Sequence, residues 1–279
     1  MSRCSVARVL VVLMMLVPAG VSASVDTSAV RRDGGVAIGD TLWSDLKGIV
    51  GDAGLVFTAP LRFGRNGWLM TGGLIGGTGA AMLVDEDVRD LFGRGHDAIR
   101  DSIAKVGNTA GTIVPAGIII GTLYVGGLAF DEPGIRMAGR HAGEALLFAG
   151  TITGVIKYLA GRNRPDQNNG AFTYHGPSML DQYQSLPSGH TTIAFAVASS
   201  LSADIDNPWA TAGLYGIATI TALSRIYNDR HWTSDVLLAA GISTACGYGV
   251  VHLHDVAPRL QGDFLVVPGV NSLAVVWMF

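Results

Sequence analysis

The chain has 279 residues, 49% of them hydrophobic and only 15% charged, against about 25% charged residues in an average soluble domain. Its net charge of -3 leaves no broad basic surface, which argues against nucleic acid as a partner. The length accommodates one large domain, and no linker composition divides it.

In chain order, Arg3 and Arg8 open the chain, Val9 to Val17 form an apolar middle, and Val21-Ser22-Ala23 is a small-residue cleavage site. This pattern predicts a secretory signal peptide over residues 1–23 and export to the cell envelope, an uncleaved membrane helix being the alternative. Cleavage would remove Cys4 and leave Cys246 as a small core residue with no internal disulfide partner. Residues 24–66 form an N-terminal amphipathic segment. In it Leu42, Trp43, Leu46, Ile49 and Val50 share one helical face, predicting a helix laid on the domain or on a membrane surface.

Residues 67–256 form the main domain. Its apolar segments are Gly67–Val84, Gly111–Phe130, Ala142–Ile156, Thr191–Ala203, Trp209–Leu223 and Val236–Val251. They are longer than strands and read as helices, so the expected fold is all-α, a six-helix bundle, membrane-embedded or membrane-associated. Gly72 with Gly76, Gly73 with Gly77, and Gly117 with Gly121 have the small-xxx-small spacing that permits close helix contact. Residues 85–105, DEDVRDLFGRGHDAIRDSIAK, read as a solvated helix with acidic first turns rather than a cation site. The tail, 257–279, holds a Pro-Gly turn signal between β-rich runs, predicting a short hairpin.

Polar clusters interrupt the apolar segments where these end or begin: KYLAGRNRP from Lys157 to Pro165, PSGH from Pro187 to His190, and SRIYNDRHWTSD from Ser224 to Asp235. Each has a structural reading alone. Lys157 and Arg162 suit a helix C-terminus, Ser188 a helix cap, and Asp235 a first turn. Together they describe an anion site. Lys157, Arg164 and Arg225 are cations at helix ends that short antiparallel connections bring to one face of a bundle. Guanidinium forks and an ammonium match phosphate oxygens, and the N–H groups of Ser188 and Gly189 open a helix beside them. His231 and Asp235 are four apart; a carboxylate that accepts from one ring nitrogen leaves the other as an attacking lone pair. His190, at a helix start, suits proton donation to a leaving oxygen.

The arrangement Lys157-x6-Arg164-Pro165, Pro187-Ser188-Gly189-His190, Ser224-Arg225-x5-His231-x3-Asp235 resembles the three-part signature of the type 2 phosphatidic acid phosphatase family, which shares its site with vanadium haloperoxidases and bacterial acid phosphatases. The resemblance implies a helical phosphatase domain over 67–256, without metal or cofactor, that works through a phosphohistidine on His231 oriented by Asp235. It assigns Lys157, Arg164, Ser188, Gly189 and Arg225 to the phosphate and His190 to the leaving group. It makes Asp166 to Leu186, with Phe172, Tyr174, His175 and Tyr183, a variable loop for substrate selection. His96, His141, His252 and His254 match no signature position. The expected substrate is a phosphorylated lipid or small phosphoester, at a membrane, with the site facing the periplasm. The alternatives are a soluble periplasmic acid phosphatase and a vanadate-dependent haloperoxidase.

Overall fold

The computed structural model describes residues 38–93, 97–256, 264–268 and 273–277. The predicted signal peptide, Cys4 and His96 lie outside the described residues, as does the side chain of His254. Nine α-helices run through the described part: α1 Ile38–Phe57, α2 Arg65–Met82, α3 Asp85–Gly93, α4 Ala98–Ala110, α5 Ile113–Ala129, α6 Pro133–Ala160, α7 Gly189–Ile205, α8 Pro208–Tyr227 and α9 Thr233–Val256. Six bundle helices were expected, and they correspond to α2 and α5 to α9; α1 is the helix expected in the amphipathic segment, and the charged stretch from 85, read as one helix, forms two, α3 and α4. Asp97 caps α4 by accepting from the N–H groups of Ile99 and Arg100, so a helix starts there without an apolar run. Beyond α9, the backbone of Phe264–Pro268 pairs antiparallel with that of Leu273–Trp277, Phe264 opposite Trp277.

α6 is the backbone of the molecule. Pro133 starts it in a preset helical φ, and Gly161 stops it at φ +55, where an added Cβ would lie 1.9 Å from the carbonyl oxygen of Gly176. One end of α6 packs Ile135, Ala138 and Ala142 against Ala116 and Leu123 of α5 and Val197, Leu201 and Ile205 of α7. Its middle packs Ala145, Phe148 and Ala149 against Ala196 of α7 and Cys246 and Val250 of α9. Alanines dominate because they let helix axes approach closely. The small-xxx-small glycines of α2 and α5 behave otherwise: Cβ atoms added at Gly72, Gly73, Gly76, Gly117 or Gly121 would meet nothing within 4 Å.

The apolar face of α1, expected on the domain or on a membrane surface, is turned away from the domain. Asp45 and Asp52 are buried, while Trp43 and Val50 are 58% and 63% exposed. The cause is a buried charge cluster. Asp45 accepts from Tyr124 and Arg136, and Arg140 donates to Asp52 at 2.7 Å and Glu144 at 2.6 Å. Buried ions are tolerated only when paired in this way, so the carboxylates turn inward and the apolar side chains outward.

Large apolar side chains also cover the outside of α2, α5 and α6, including Leu69, Ile75, Ile118, Val125, Leu147 and Val155. Among the described residues, Thr233–Leu253 of α9 is long and apolar enough to cross a membrane, with mean hydropathy 1.6. The pairs α2–α3 and α4–α5 qualify only as broken spans, bent by 58° and 52°.

Candidate active site

The signature residues gather where α6 ends and α7 and α9 begin, with α8 delivering Arg225 from its last turn. The loop between α6 and α7 folds onto the start of α9 through Arg162. This guanidinium is wholly buried, donating to Asp235 at 2.6 Å, to Asp85 at 2.8 Å and to the carbonyl of Ala171 at 2.7 Å, with the rings of Tyr174 and Trp232 each 5.6 Å away. Asp85 in turn accepts from the N–H of Ser234 at 2.9 Å and its hydroxyl at 2.5 Å. The acidic start of α3 is solvated at Glu86 and Asp87 but not at Asp85, which is 1% exposed and forms with Arg162 and Asp235 a buried ionic chain tying three segments together.

His231 sits just before α9 and is 4% exposed. Its Nδ1 lies 2.7 Å from the carbonyl oxygen of Ser185 and 3.8 Å from Asp235 Oδ2. A carbonyl only accepts, so Nδ1 carries the proton and Nε2 holds the lone pair of the neutral ring. Asp235 thus orients the histidine at one remove. Its Oδ2 accepts from the hydroxyl of Ser185 at 2.5 Å and the N–H of Trp232 at 2.9 Å, fixing the residues on either side of the ring. Burial holds the His231 pKa down to about 4, with the charges of Lys157 and Arg225 adding to burial and Asp235 opposing it. At neutral pH the ring is uncharged.

The cations leave donors for a ligand. Lys157 gives two of its three N–H bonds to the carbonyls of Gln184 and Pro187, each at 2.6 Å. Burial lowers its pKa to about 8, so it stays charged at pH 7. Arg164 donates to Asp181 at 2.7 Å and Arg225 to Asn108, yet Nε of both is buried with no hydrogen-bond partner. Buried donors are almost always satisfied, so these two guanidinium N–H groups have capacity for an acceptor. Burial, then the nearby charges of Arg230 and Arg164, lowers the Arg225 pKa to about 10.

Ser188 differs from its expected use. Its N–H donates to the carbonyl of Asp235 at 3.1 Å and is not directed to a ligand. Its hydroxyl oxygen accepts from Thr191 at 3.0 Å, which leaves the hydroxyl hydrogen to give. Gly189 is the first residue of α7, where backbone N–H groups lack intrahelical partners. His190 follows, half-buried, in a cavity of about 610 Å³ that it shares with Asp101, Lys105, Asn108, Arg225, Asn228 and Arg230. Burial, then Arg225, Arg164, Lys157 and Arg230, lowers its pKa to about 4.

Outside the site, His141 pairs with Asp204 at 3.0 Å and His252 with the carbonyl of Tyr248 at 2.8 Å. In the variable loop His175 stacks on Tyr183 at 3.9 Å, while Phe172 is exposed. The sequence reading missed Ser185, Arg162, Asp85, Asn108 and Arg230. Only Arg162 carried a signal, a second arginine beside the signature.

Residues 138–259 match the model of the PAP2 superfamily. The chain is 30% identical over 168 residues to a lipid A 1-phosphatase of Porphyromonas gingivalis, an alignment covering 59% of this chain and 33% of the relative; the chain thus spans about a third of the length of that protein. Among solved structures it is similar to Aquifex aeolicus LpxE (20% identity, TM-score 0.46, 60% of this chain and 94% of the other). It is also similar to a transmembrane PAP2 type phosphatidylglycerolphosphate phosphatase from Bacillus subtilis (16% identity, TM-score 0.34, 64% and 96%). Most of α6 and all of α7 and α8, which carry the site, lie within the residues that match the PAP2 superfamily, as does α9 behind His231.

Proposed function

We propose that the protein hydrolyses a phosphate monoester or pyrophosphate of a membrane lipid, without a metal, through a phosphohistidine on His231. The observation that carries this reading is the pair of buried, orphaned Nε donors of Arg164 and Arg225 beside a histidine whose Nδ1 is tied to Ser185. On this reading the two donors hold the phosphate, and the hydrogen bond at Nδ1 leaves Nε2 with the lone pair that attacks. A donor set of cations suits an anionic group rather than a metal ion.

In the first step Nε2 of His231 attacks phosphorus, the bond from phosphorus to the leaving oxygen breaks, and that oxygen takes a proton from His190. Lys157, Arg164, Arg225, the Ser188 hydroxyl and the Gly189 N–H hold the other phosphate oxygens as charge redistributes. In the second step water attacks the phosphohistidine, His190 takes a proton from that water, and phosphate departs with Nε2 restored to a lone pair. The lipid assignment draws support from the apolar exterior, from α9 and from the relative named for a lipid phosphate. We place the site on the outer face of the membrane, following the predicted export signal.

Purified protein dialysed against EDTA and supplied with phosphatidate or a lipid A-type phosphate in mixed micelles is expected to release phosphate. A requirement for added divalent cation would sink the metal-free mechanism. Release from a soluble monoester but from no lipid would point to the soluble acid phosphatase instead.

A further inference from the structure

Resting on this reading of the site, we propose that the polar face of α4, formed by Asp101, Lys105 and Asn108, recognises the leaving group, and that this group carries hydroxyl or amide functions next to the phosphate, as a glycerol or sugar headgroup does and a bare hydrocarbon chain does not.

Attack on phosphorus proceeds in line, so the leaving oxygen points away from His231 and toward its proton donor. His190 lines the cavity that Asp101, Lys105 and Asn108 also line; the first carbon of the leaving group therefore enters that cavity. Positions 101, 105 and 108 recur at i, i+4 and i+7 and form one stripe along α4. The stripe offers a carboxylate, an ammonium and an amide, which together donate to and accept from hydroxyl, ester and amide groups.

α4 lies outside residues 138–259, the part that matches the superfamily model, yet it is built into the site. A Cβ added at Gly107 would come within 2.6 Å of the Ile220 carbonyl oxygen of α8. One added at Gly111, just past the end of α4, would come within 2.9 Å of His190 Cβ. These close approaches bring Asn108 onto the Arg225 guanidinium, which donates to it, and Asp101 onto Tyr227, whose hydroxyl donates to it at 2.5 Å. The apolar hollow nearby, about 380 Å³, lies along the other face of α4 around Ile103, Ile220 and Leu223 and does not include His190. Hydrocarbon is thus accommodated away from the leaving oxygen, and polar groups beside it.

The test compares kcat/KM for three substrates of matched chain: octanoyl lysophosphatidate, an N-octanoyl glucosamine 1-phosphate, and octyl phosphate. It uses the full-length protein, its Asp101→Asn and Lys105→Met variants, and Lys47→Met on α1 as a control. The wild type is expected to favour at least one hydroxylated substrate over octyl phosphate by about tenfold or more, the scale of one or two hydrogen bonds to charged groups; which of the two it favours separates glycerol from sugar. Asp101→Asn keeps an acceptor for Tyr227, and both it and Lys105→Met are expected to shrink the preference by about tenfold, with Lys47→Met leaving it intact. Partial misfolding scales all three rates together and leaves the ratio unchanged. Equal use of octyl phosphate by the wild type, or uniform losses in the variants, would overturn the proposal while leaving the phosphatase reading in place. Failure to release phosphate from any of the three would overturn both.

Discussion

His190 is the residue at which electrostatics constrains the chemistry most. Burial, together with the charges of the three cations proposed to hold the phosphate, keeps this imidazole neutral above about pH 4. A neutral ring donates no proton to a leaving alkoxide, so the proton arrives with the substrate: a phosphate monoanion binds, and its proton passes to His190 once the phosphate's charge offsets the cations. His231 has the opposite need. It must be neutral to attack, and its pKa near 4 secures that over most of the pH range. The signs then follow. Lowering pH through about 4 protonates His231 and removes the nucleophile; raising pH through the second ionisation of the phosphate, about 6, removes the proton His190 must receive. Plotted against pH, kcat/KM is expected to peak between these values and fall about tenfold per unit on the alkaline side. A profile flat from pH 6 to 8 would mean that His190 holds its own proton in the free protein.

At the scale of elements, the site depends on a loop held from beneath. Residues 161–188 would have little reason to keep one geometry without Arg162, which joins them to α3 through Asp85 and to α9 through Asp235. All three groups are buried, and removing the cation leaves two uncompensated carboxylates. Breaking a buried pair in this way costs about 3–5 kcal/mol. Arg162→Met is expected to lose about that much in denaturant unfolding and to slow phosphate release, because the Ser185 carbonyl that fixes His231 belongs to the same loop. A loss below about 1 kcal/mol would show that the chain of charges is dispensable. None of this was legible in the sequence, since Asp85 and Arg162 are 77 residues apart and each has an ordinary local explanation as a first-turn acid or a last-turn base.

Across the whole molecule, what the sequence made legible and what it hid divide along a physical line. Lys157, Arg164, Gly189, His190, Arg225 and His231 lie at helix boundaries, and a helix boundary is written locally, in prolines, glycines and the ends of apolar runs. The short connections between α7, α8 and α9 bring part of this set together, while the long loop 161–188 needs Arg162 to bring in the rest. Three features stayed hidden because they are not local. Ser185 holds the histidine with its backbone carbonyl, a group every residue has. α1 turns its carboxylates inward because Arg136 and Arg140 wait there, which its own periodicity cannot show. α4 enters the site through glycines whose neighbours, Ile220 and His190, are remote in sequence. The stretch from 85, read as one helix, forms two, α3 and α4, which are short, charged and stabilised by the Asp97 cap and long-range pairs rather than by apolar length.

The central claim is that phosphate passes through His231, and it is tested most directly by trapping. Full-length protein mixed with a phosphate-labelled lipid substrate and quenched in alkali within one turnover, where phosphohistidine survives, is expected to carry label on His231 in peptide mass spectra. The His231→Ala variant is expected to carry none and to lose about 10⁴-fold or more in kcat. Label on His190, or full turnover by the variant, would contradict the account.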